Sequence, residues 1–228
     1  MLINADFSRH AALAPEDYQW VNSPQNGVER VMLDRLGAEK AHATSIVRYA
    51  PDSYFPHHLH PGGEEILVLS GTFSDGDNDY PAGWYIRNPP KSGHTPHSVE
   101  GAVIFVKLWQ MSVDEANHVA IDTHDKTNWR TQENREFCPL FSNHIEHVSL
   151  QRLNANEPLF ATEVAGGAEL LVIEGELIDT ERTYKRGGWI RLPVGSHSAL
   201  IAGANGATVY LKTGHLAQIS TLSVNQEL

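Results

Sequence analysis

Short apolar runs separated by turn residues dominate the chain. "EILVLSG" (65–71), "WYIRNP" (84–89) and "AVIFVKLW" (102–109) are rich in Val, Ile, Leu and aromatics and are bounded by Gly, Pro, Asn and Asp. Runs of this length and spacing predict antiparallel strands joined by turns, and so a sandwich or barrel. Long amphipathic helices are missing. The best helical candidate is "SVDEAN" from Ser112, where Glu115 follows the serine at the capping-box interval.

The pattern also repeats. Residues 62–89 lie over residues 166–193 without a gap, so that Gly71 pairs with Gly175, Asp75 with Asp179, Tyr80 with Tyr184, Gly83 with Gly187, Arg87 with Arg191 and Pro89 with Pro193. "GAVIFVK" from Gly101 then matches "GATVYLK" from Gly206. Two copies of one module account for this register. The polar stretch between them serves as a linker, which gives expected boundaries of 1–123 for the first module, 124–134 for the linker and 135–228 for the second.

Charge and composition narrow the partners. Seventeen basic against 28 acidic residues leave a net charge of -11, which argues against nucleic acid and anionic membrane surfaces. Small molecules, metal ions and other proteins remain. No basic start followed by an apolar run appears, and no stretch approaches the roughly 18 apolar residues of a membrane span, so a soluble, cytoplasmic protein is expected. The single cysteine, Cys138, rules out an internal disulfide framework and a thiolate-rich zinc site, and a buried structural thiol is its expected state. Any metal must be held by histidine and carboxylate.

The stretch "FPHHLHPGGEEILVLSG", from Phe55 to Gly71, concentrates such groups. Alternation along a strand puts His58 and His60 on one side and Leu59 on the other. Glu64 has the same parity and follows Gly62 and Gly63, which let the backbone bend. His94, in "NPPKSGHTPHS", offers a fourth group from beyond one hairpin. Three neutral imidazoles and a carboxylate suit zinc, divalent iron, manganese or nickel, whereas calcium and magnesium prefer all-oxygen shells. His57 and His97 flank these positions with opposite or undefined facing, and are expected at the surface or as groups that orient a ligand or meet a substrate.

The second module serves as an internal control. Thr162, Val164 and Ala168 stand where His58, His60 and Glu64 would be, and only His197 survives, opposite His94. A metal-free second barrel is therefore expected. Glu65 has a counterpart, Glu169, in that copy, which assigns Glu65 to the fold rather than to the metal. No phosphate-binding loop or nucleophile elbow is present in "GGEE", "GGAE" or "VGSHS".

His58-Leu-His60, three residues, Glu64, six residues and Gly71, followed by Gly83 through Pro89 to His94, resembles the two motifs of the cupin superfamily. More narrowly, "HLHPGGEEILVLSG" with "HTP" is similar to the ChrR-like cupins, over roughly Val28 to Met111. The resemblance implies an all-β fold of two tandem jelly-roll barrels, a bicupin. It implies His58, His60, Glu64 and His94 as ligands of one divalent ion, zinc first, with iron, manganese or nickel as the other candidates. It also implies a regulatory protein related to the anti-sigma factor ChrR, reporting on oxidative stress or a small ligand through its metal. The helical zinc domain that grips a sigma factor in that family has no counterpart in the first twenty-seven residues or around the lone cysteine, so a sigma factor is not an expected partner. Other cupins suggest an alternative, an iron-dependent dioxygenase acting on a small diketone or aromatic acid. Octahedral iron would keep two positions open beside four protein ligands, whereas tetrahedral zinc would be saturated by them. A monomer or homodimer is expected.

Overall fold

In a computed structural model of the chain, residues 1–38, 41–196 and 199–219 are described. The fold is nearly all β. Among the described residues, helical structure is limited to the single turns Pro15–Asp17 and Lys126–Asn128 and one turn at 216–219. None of these is long or apolar enough to cross a membrane. The helix expected from Ser112 does not form. A single backbone turn joins the Glu115 amide to the Ser112 carbonyl (3.1 Å), because the Glu115 carboxylate, instead of reaching back to cap a helix, is drawn onto Arg87.

The chain divides into two compact units. One comprises Met1–Ala5 and Gln19–Asp125, the other Asp6–Tyr18 and Lys126–Leu228. Within the stretch 124–134, Arg130–Gln132 is a strand paired with Arg135–Ser142, and the stretch belongs to the second unit from Lys126 onward.

In the first unit the main path of the sheet runs Leu2–Ile3, Val28–Leu36, His42–Tyr49, Ala102–Leu108, Glu64–Asp75, Trp84–Asn88 and Val119–Asp122. The second unit runs Arg130–Gln132, Arg135–Ser142, His147–Leu153, Ile201–Thr213, Ala168–Ile178, Trp189–Leu192 and Ala11–Leu13. From the second strand onward the two orders correspond element for element. The last position shows an exchange. Val119–Asp122, which matches Ala11–Leu13 in sequence although it falls inside the expected first module of 1–123, completes the first unit beside Trp84–Asn88. Ala11–Leu13, which opens the first copy, completes the second unit beside Trp189–Leu192.

Each unit has its own apolar core. Tyr49, Ile66, Val68, Phe73, Ile86 and Ile104 form that of the first; Val164, Ala168, Leu170, Val172, Ile190 and Leu211 belong to that of the second. The opposite face of the central strands carries buried charge. Arg87, fully buried, donates from Nη1 to Glu65 (2.8 Å) and from Nη2 to Glu115 (2.9 Å). Arg191, its counterpart, lies opposite Glu169 in register and donates from Nη2 to the Asp6 carbonyl (3.0 Å), with the Phe7 ring 4.0 Å from its guanidinium. Glu169 accepts from the Trp189 indole (2.7 Å). Glu65 and Glu169 thus face away from the apolar cores and serve the fold. Removing one partner of such a buried pair costs about 3–5 kcal/mol, because the other charge is left without compensation.

One bend positions the site. Glu64–Asp75 pairs with Ala102–Leu108 and Trp84–Asn88 in its first half and with Asn78–Pro81 and Pro96–Ser98 in its second. The turn between the halves falls at Gly71, with φ +68°, where an added Cβ would collide with the Gly101 carbonyl. Only glycine takes this conformation without strain, and Gly175 repeats it at φ +68° in the second unit.

Candidate metal centre

Two short strands, His58–His60 and Ser92–His94, pair with each other as a two-stranded ribbon outside the main sheet. His94 lies opposite His58 and Ser92 opposite His60. The pleat sends the three imidazoles to one side and leaves Leu59 64 % exposed on the other. The turn after His60 carries Gly63 at φ +77°. There the Gly63 amide donates to the His60 carbonyl (3.1 Å), which delivers Glu64 from the start of the long strand. Gly62 and Gly63 leave no room for side chains, since Trp109 packs on the first and Met111 on the second.

The result is a compact group. The ring centroids of His58, His60 and His94 are 4.6, 4.7 and 4.8 Å apart, all edge to face. One ligand atom from each of His58, His60, Glu64 and His94 lies within 4.8 Å of all the others. His60, Glu64 and His94 are buried and His58 is half-buried. The Nε2 atoms of His60 and His94 approach the Glu64 carboxylate at 3.5 and 3.4 Å. These are not ion pairs in the metal-free protein. Burial, reinforced by His94 and His58, pushes the His60 imidazolium down to about 3, while burial pushes the Glu64 carboxyl up to about 8 against the opposing Asn88 hydrogen bond. Burial also holds His94 low, although Asp75 works the other way. The His60 and His94 imidazoles therefore keep free lone pairs. Nε2 of His60 and of His94 are buried without a hydrogen-bond partner, a cost that a metal ion would remove. The donor set fits a divalent ion of the zinc, iron, manganese or nickel type.

Supporting groups fix these side chains. The Pro56 carbonyl sits 2.8 Å from His58 Nδ1, and Asp75 Oδ2 is 3.1 Å from His94 Nδ1, so both rings turn Nε2 towards the centre. Asn88 Nδ2 donates to Glu64 Oε2 (3.1 Å). Sequence reasoning did not find Asp75 or Asn88 in these roles. His57 and His97 stand outside the group of four. His57 is exposed on the Leu59 side of the ribbon, near Gly93, and His97 is half-buried on Pro96–Ser98, opposite Tyr54 and Ser74.

The corresponding place in the second unit is apolar. Val164 and Ala168 belong to its core, Thr162 is exposed, and the ribbon is reduced to a single bridge between Val164 and Ser196. His197 lies outside the described residues.

Residues 8–112 match the family model of the ChrR cupin-like domain. No curated protein matches the sequence. Among solved structures, a candidate dioxygenase from Nostoc punctiforme superposes with a TM-score of 0.75 at 14% identity, over 92% of this chain and 84% of that one. A cupin 2 conserved barrel domain protein from Leptotrichia buccalis gives 0.59 at 12%, over 85% and 92%. The pirin YhhW of Escherichia coli, in complex with nickel(II), gives 0.63 at 11%, over 90% and 98%. At these identities the likeness establishes the fold, and with the family match it leads to one statement: residues 8–112 of the chain are similar to the ChrR cupin-like domain.

Proposed function

We propose that this chain is a zinc-binding regulatory bicupin, in which the ion held by His58, His60, Glu64 and His94 reports on oxidative stress or on a small ligand, as a cytoplasmic monomer or homodimer. The observation that carries the reading is the donor set. Three imidazoles and one carboxylate converge within 4.8 Å, enough to complete a tetrahedral zinc shell. The match of residues 8–112 to the ChrR cupin-like family supports the regulatory part. A small ligand would reach the ion past His58, the one half-buried member of the group.

That same exposure favours a second reading, an iron-dependent dioxygenase for a small diketone or aromatic acid. Its further support is the structural likeness to the Nostoc punctiforme protein. Iron in the same donor set would keep two positions for oxygen and substrate.

Elemental analysis of the purified protein, followed by oxygen uptake of the iron(II)-loaded form with diketones and phenolic acids, separates the two. The expected result is about one zinc per chain and no substrate-dependent oxygen uptake. Iron in place of zinc together with such uptake would replace the first reading with the second.

A further inference from the structure

We infer that Asp75 is a positioning residue for the metal centre, holding His94 by its Nδ1–H so that Nε2 is presented to the ion. The inference rests on the metal-binding reading above. Its basis is a difference between the two copies. Asp179 occupies the equivalent place in the second unit and serves its own turn, accepting the amides of Glu181 (2.7 Å) and Arg182 (2.8 Å) on Oδ1 and the Tyr184 hydroxyl (2.9 Å) on Oδ2. In the first unit the turn residue Gly76 has φ +59°, and no hydrogen bond joins Tyr80 to Asp75. The Tyr80 ring instead stacks edge to face on Trp84, at 5.4 Å. Asp75 Oδ2 is directed to His94 Nδ1.

The bend at Gly71 makes this contact reachable. It brings Glu64 and Asp75, the two ends of one twelve-residue strand, to opposite nitrogens of a single imidazole: Glu64 to Nε2 and Asp75 to Nδ1. Asp75 is itself held on both sides, in register with Asn78 and with Pro96. A carboxylate on the distal nitrogen of a ligating histidine fixes ring orientation and tautomer, and its loss lowers metal affinity about 10–100-fold.

The test compares wild type with Asp75→Ala, Asp75→Asn and the control Asp179→Ala, using zinc(II) and cobalt(II) competed against a chromophoric chelator. Histidine side-chain nitrogen NMR of each metal-free protein supplies a second readout. Asp75→Ala is expected to bind about 10–100-fold more weakly and to lose the Nδ1–H tautomer signature of His94. Asp75→Asn keeps an acceptor oxygen and is expected to retain most of the affinity and that signature, while Asp179→Ala binds as wild type. If Asp75→Ala binds as tightly as wild type, or Asp75→Asn as poorly as Asp75→Ala, the positioning role is overturned with the metal reading intact. A wild-type protein that binds neither ion overturns both.

Discussion

His60, Glu64 and His94 are built to be neutral until an ion arrives. Glu64 binds its proton more tightly folded than unfolded, since its value rises from the ordinary 4.5 to about 8. Its contribution to metal-free stability is therefore full below about pH 4.5 and is lost as pH rises through about 8. His60 runs the other way: its value falls to about 3, so the stability it supports is present above about pH 6.5 and is lost as pH falls towards 3. At pH 7 an incoming divalent ion must displace the Glu64 proton. Calorimetry in two buffers of different ionisation enthalpy should record the release of about one proton per ion at pH 7 and none at pH 9. Glu64→Gln should abolish that release and weaken binding. The four residues were legible in the sequence because strand parity and spacing encode them. Asp75 was not, because Asp179 repeats it in a copy that has Thr162, Val164 and Ala168 in place of His58, His60 and Glu64, and a duplicated aspartate before a turn reads as part of the turn. Asn88 gave no periodic signal at all.

The strands and their turns were legible in the alternation of apolar runs and in the ungapped repeat. Their pairing partners were less so. Glu64–Asp75 reads as one strand, and only its bend at Gly71 shows why a carboxylate from each end meets His94. Gly71→Ala should destabilise the first unit by roughly 2 kcal/mol or more, from left-handed strain and the collision with the Gly101 carbonyl, and should weaken zinc binding as well. Gly175→Ala should cost the second unit a similar amount in a thermal melt and leave zinc affinity unchanged. The exchanged strands were hidden by their brevity. "HAAL" from His10 does match "HVAI" from His118, but the interval between them differs from that of the main repeat, so no single alignment reveals both. Two further contacts belong to the repeat. Trp20 lies under Arg48 at 4.1 Å, as Trp129 lies under Arg152 at 3.7 Å.

At the scale of the molecule, the residues that begin the chain complete the unit that ends it. Phe7 covers Arg191, the Tyr18 hydroxyl donates to the Gly187 carbonyl (2.5 Å), and Ala11–Leu13 closes the edge of Trp189–Leu192. Trp189 and Arg191 are fully buried as a result. Truncation to Gln19 should therefore unfold the second unit preferentially, although the removed residues precede the first. Hydrogen exchange read by mass spectrometry should show protection lost around 189–192 and retained from His58 to His94. The first unit loses the edge strand Leu2–Ile3 and the Asn4 hydrogen bond to the Leu33 carbonyl, and its zinc affinity should persist. The same exchange sets a timetable for the ribosome. Ala12 is synthesised long before its partner Ile190, and at roughly 5–20 residues per second the nascent segment waits on the order of ten seconds or more for it. Its short apolar edge must stay unclaimed for that interval, which makes Ala11–Leu13 the place where a trapping chaperone or a neighbouring nascent chain would intervene.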